Sequence, residues 1–143
     1  MNRRNFLSRT TAGVAAILVA PGLWRISSPE PKEKSFSFMP YRKGETLVPV
    51  WQITPDDGYY IHSFYDICPW SPDSRFLLVA KLPYQDKKPR RGDEAEICVI
   101  DISRQTIRTI YRTKVWSFQV GANAQWDSIS NKYVYTNDII NGL

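Results

Sequence analysis

The sequence predicts an all-β chain built from repeated antiparallel hairpins, and three observations carry that prediction. The first is a stretch in which one apolar run, Tyr65 to Trp70, meets Ser71-Pro72-Asp73-Ser74 and gives way to a second run, Phe76 to Leu82. Pro72 suits the second position of a type I turn because its φ is already set, and Asp73 and Ser74 can bond back to the local backbone. The second is recurrence: with Trp126 aligned on Trp70, Gln125 to Tyr135 repeats the pattern 56 residues later, in weaker form. The third is composition, since 13% aromatic residues with 10 Pro and 7 Gly suit strands and turns better than a helical bundle.

The chain opens on a segment that is not part of this pattern. Asn2-Arg3-Arg4-Asn5-Phe6-Leu7-Ser8 resembles a twin-arginine (Tat) export motif, with paired Arg3 and Arg4, one spacer, then Phe6 and Leu7. An apolar stretch, Ala12 to Ala20, follows and is broken by Pro21-Gly22; it is far shorter than the ~20 residues a membrane span needs. Residues 1–24 therefore read as a Tat-type signal sequence. The resemblance implies export of a folded protein to the bacterial periplasm, with the Tat machinery as partner. Leu18 stands where a cleavage site prefers a small residue, so an uncleaved leader tethering the protein to the membrane stays open beside cleavage.

Residues 25–44 read as a linker, rich in Ser, Pro and charge at its start. The domain proper is expected over 45–143. Glu45 to Thr54 predicts a first strand, and Pro49 places it at an edge. Asp56-Asp57-Gly58 marks a turn. Four strands in a meander follow: a, Tyr65 to Trp70; b, Phe76 to Leu82; c, Ala95 to Ile102; d, Thr106 to Tyr111. A long basic loop, Pro83 to Glu94, joins b to c, and Ser103-Arg104-Gln105 turns c into d. After Arg112 to Val120 the second copy begins, with a′ near Ala122 to Asp127 and b′ near Lys132 to Asn137.

The hairpin Trp70-Ser71-Pro72-Asp73-Ser74-Arg75, with Glu96-Ile97-Cys98-Val99-Ile100-Asp101 and Arg108-Thr109-Ile110, resembles a blade of the TolB-like, WD-repeat-like β-propellers. The likeness covers about Tyr60 to Asn137 and implies four-stranded antiparallel meander blades of a β-propeller. It implies a fold more than a function, because such blades serve scaffolds and enzymes alike. Among exported bacterial propellers it is also similar, distantly, to the oligogalacturonate lyases, although the His and Gln metal cluster of that family has no counterpart here. A propeller closes with about four to eight blades, and this chain supplies about one and a half. It is therefore expected to be an incomplete N-terminal fragment of a longer protein; the rival is a small stand-alone sandwich.

Charge narrows the partner. The net +5 owes three charges to the leader, and removing residues 1–24 leaves 16 basic against 14 acidic side chains. Such a balance offers no phosphate-tracking face, so nucleic acid is not expected. In a meander the d–a and b–c loops share one end of the sheet, the longer-looped and more polar one. That end is expected to carry the ligand-binding face: His62, then Arg90, Arg91 and Asp93, then Trp116 and Gln119, then Asn137 and Asp138. His62 is the sole histidine, so no His-based metal site is expected, nor any cofactor. The guanidinium forks of Arg90 and Arg91 suit an anionic oligosaccharide. Against this, Asp56 and Asp57 suit a turn, the basic loop suits a solvated surface, and Trp116 and Trp126 suit blade packing. The two cysteines are expected to be free and buried, because strand b separates Cys68 on strand a from Cys98 on strand c.

The functional expectation is an exported β-propeller binding or scaffold module of the periplasm, with an anionic oligosaccharide or a protein as partner. The alternative is a carbohydrate-active lyase or hydrolase of the oligogalacturonate-lyase type, its catalytic residues lying beyond Leu143. Whether the chain is an enzyme stays open on sequence alone.

Overall fold

The structure, a computed structural model, describes residues 32–42 and 44–139. The leader and the first part of the linker, with Arg3, Arg4, Phe6 and Leu7, lie outside the described residues. Among those described there is no helix, and every strand pairing is antiparallel.

Among the described residues nine strands form: β1 (Lys34–Ser35), β2 (Met39–Pro40), β3 (Trp51–Gln52), β4 (Tyr59–Ile61), β5 (Phe76–Leu82), β6 (Ala95–Asp101), β7 (Thr106–Thr113), β8 (Gln125–Trp126) and β9 (Val134–Tyr135). The principal sheet has the order β1-β7-β6-β5-β4, so β4 to β7 make the expected meander and β1 adds to its outer edge. β5 and β6 run in register from Phe76 opposite Asp101 to Lys81 opposite Glu96. Between β6 and β7 a bulge at Ile97/Cys98 leaves Ile110 as the extra residue, with Thr109 opposite Cys98 and Tyr111 opposite Ile97.

The tight turns explain where the strands stop. Ser71 O accepts from Ser74 N at 2.8 Å, and Ser74 sits at φ +60°. The buried Ser71 hydroxyl donates to Asp73 and accepts from Phe76 N at 2.9 Å, which clamps the hairpin base. Asp101 does the same between β6 and β7, its Oδ1 accepting from Ser103 N and Arg104 N. The second hairpin is built alike: Trp126 pairs with Val134, as Trp70 bridges Leu77, and Asp127 Oδ1 caps its turn.

β5 and β6 are buried on both faces, which is why they read as nearly unbroken apolar runs. On one face Leu78, Ala80, Leu82, Ala95, Ile97 and Val99 pack beneath Ala122, Ala124, Trp116, Phe118 and Trp126. On the other, Leu77, Val79, Cys98, Ile100 and Ile107 are covered by Phe36, Ile53 and Tyr60. The cover on the first face depends on Gly121, buried with φ +55°. A Cβ there would meet the Ala80 methyl at 3.1 Å and Ile61 at 3.3 Å, so a side chain would press on the sheet and strain the backbone.

Three expectations need correction. Strand a is not Tyr65 to Trp70: it begins earlier, as β4, and resumes only at the Trp70–Leu77 bridge. The chain between leaves the sheet because the buried Ser63 hydroxyl is drawn to the Ala124 carbonyl at 2.6 Å, and Ile67 N closes a turn on Phe64 O. Cys68 rides on this excursion and is exposed, not buried; Cys98 is buried, and both thiols are free. Finally, the strand expected over Glu45 to Thr54 shrinks to β3, paired with β2. Pro49 lacks an N–H, and Leu47 and Val48 face solvent with no neighbouring strand to meet.

Candidate binding face

The end of the sheet where β5 finishes and β6 begins carries the long loop Pro83 to Glu94. Its base is fixed by one aromatic side chain. Tyr84 Oη donates to Asp93, and Arg90 N donates to both the Tyr84 hydroxyl and Asp93 Oδ2, each at 3.1 Å. Asp93 N returns a bond to Arg90 O, and Gly92 at φ +98° makes the reversal. The Tyr84 hydrogen bond holds the Asp93 carboxyl below its usual range. Partial burial and the same bond raise the Tyr84 phenol, so it remains a donor at neutral pH.

A second loop, after β7, locks onto the first. Trp116 Nε1 donates to Asp93 O at 2.9 Å. The rings of Tyr84, Trp116 and Phe118 meet edge to face, with centroids 5.5 to 6.4 Å apart. Rings this close fill one another's faces, so the triad is a packed support and not an open cage for a cation. Lys87 lies 4.4 Å over the Tyr84 ring. Lys88, Arg90 and Arg91 stand exposed on the loop that this support holds.

The expected face is thus assembled in part. Arg90, Arg91, Asp93 and Trp116 come together. Asn137 and Asp138 lie at the same end of the sheet, because they bind Thr113 and Tyr111 at the finish of β7, and Thr113 pairs with Ala95. Gln119 is exposed in the turn closed by the Ser117–Gly121 bridge. His62 follows the last residue of β4, its carbonyl oxygen close to Gly121 at the end of the second loop, and its side chain makes no hydrogen bond among the described residues. The paired aspartates separate in role. Asp57 joins three elements, accepting from Lys34 at 2.5 Å, Tyr60 at 2.6 Å and Lys81 at 3.1 Å, and its carboxyl is held far below the usual range, chiefly by Lys34. Asp56 is exposed.

Tyr84 is the residue that the sequence reading missed. Its partner lies nine positions on, across a basic run, and no spacing rule joins an aromatic to an aspartate at that distance. Chemically the cluster offers exposed cations on a loop whose backbone is anchored, and not a nucleophile with its base. Among the described residues no three His, Cys, Asp or Glu side chains gather as metal ligands would. No family model matches this chain, and neither the curated proteins nor the solved structures contain a match to it.

Proposed function

We propose that this chain is part of an exported β-propeller acting in the bacterial periplasm as a binding or scaffold module, with an anionic oligosaccharide bound at the loop end of its meander. The propeller reading is supported by the four-stranded meander, by burial of β5 and β6 on both faces, and by a second hairpin opening the same way. The observation that carries the binding reading is the basic loop clasped by Tyr84, Asp93 and Trp116. An unsupported loop would lose backbone entropy on each binding event, and a clasped one has already lost much of that share. Guanidinium forks then meet sugar carboxylates in planar, bidentate geometry. Exposed charges are screened within about 10 Å at 0.1 M salt, so binding should weaken steeply with salt. The test is retention on an immobilised polyuronate. The variant Arg90→Ala with Arg91→Ala should elute at clearly lower salt than the unsubstituted chain, and unchanged elution would refute the assignment.

A further inference from the structure

A second cationic feature lies at the opposite end of the sheet, where the tight turns are, and the reading above does not use it. A groove of about 610 Å³ runs there between the chain entering β1 and the turns after Ser71 and Asp101. Four cations line it, Lys32, Arg75, Arg104 and Arg108, against two carboxylates, Glu33 and Asp101. Both carboxylates are already engaged. Asp101 accepts from Arg75 Nη2 at 2.8 Å and lies 4.0 Å from Arg104 Nε, while Glu33 accepts from Thr106 Oγ1 at 2.6 Å. Arg108 and Lys32 form no ion pair among the described residues.

The arrangement is preset. Asp101 is 5% exposed, and its two oxygens hold the turn amides and the Arg75 guanidinium, which also stacks 4.8 Å over Phe76. Phe76 and Val99 line its base but leave little apolar surface open, since Val99 is buried and the Arg75 guanidinium lies over the Phe76 ring. An open trough with a cationic rim and surplus positive charge complements an extended chain bearing spaced carboxylates. We infer that this groove docks an acidic peptide segment, rich in Asp or Glu, of a partner protein. A compact anion would reach only part of the rim.

The test uses the full 143-residue chain and a fluorescein-labelled hexaglutamate peptide at low ionic strength. The proposal expects saturable binding, weakened at least fivefold by Arg104→Gln with Arg108→Gln. Both side chains are exposed, so their removal leaves the core intact. Arg90→Gln with Arg91→Gln removes the same charge from the other end and should leave the affinity unchanged. That pair separates this groove from the oligosaccharide reading, which fails or stands on the opposite variant. No saturable binding, equal loss in the two variants, or equal competition by citrate at matched carboxylate concentration would each overturn the proposal.

Discussion

At Cys98, burial on β6 pushes the thiol up to about 11, and the side chain fills core beside Val79 and Ile100. Cys68, in the excursion between β4 and β5, is exposed. Thiolate fraction and access both govern alkylation, so the two should react very differently. Brief iodoacetamide treatment of the native chain is expected to modify Cys68 alone. After denaturation both should be modified without prior reduction; a bridge requiring reduction first would break the strand order described here. The absence of a Cys68–Cys98 bridge was expected from the sequence, though on a placement of Cys68 in strand a that the structure corrects. The exposure of Cys68 was not, because it follows from one buried hydroxyl, Ser63, reaching a carbonyl 61 residues away.

Among the elements, β5 and β6 were legible nearly to the residue, since apolar runs of seven bounded by Pro, Asp and Ser signals leave little choice. β7 follows from its β-branched and aromatic residues after a tight turn, running two residues past the expected Tyr111. β4 was harder. Tyr59-Tyr60-Ile61 is too short to show a period, and the longer aromatic run after it looked the better strand. The loop clasp was illegible for a related reason, as its contacts join loops that only the folded sheet brings together. The turn residue Asp101 offers a measurable consequence. Burial raises its carboxyl, but bonds from Ser103 and Arg75 prevail and bring it to about 2, against an ordinary 3.8. A carboxyl depressed in the folded state stabilises above its unfolded value, and that contribution fades as pH falls through the folded one. Asp101→Asn should therefore cost on the order of 2 kcal/mol at neutral pH, shrinking between about pH 4 and pH 2. Urea titrations across that range check it, and a loss independent of pH would contradict the role given to the charge.

For the molecule as a whole, the meander sets two polar ends apart: a long-looped one with Arg90 and Arg91, and a tight-turned one with Arg75 and Arg104. The proposed export rests on the leader. Changing Arg3 and Arg4 to Lys in a Tat-competent bacterium should leave the protein in the cytoplasm, because Lys presents a point charge in place of the planar fork; normal export of that variant would end the Tat reading. The central claim is that the loop end is where an anionic sugar chain binds. Hydrogen exchange, followed by mass spectrometry with and without a uronate oligomer, locates such binding directly. Added protection should concentrate in Tyr84–Glu94 and Lys114–Gly121, with β8 and β9 little changed. Protection centred instead on the turns after Ser71 and Asp101 or on residues 36–53, or none at saturating oligomer, would contradict the account.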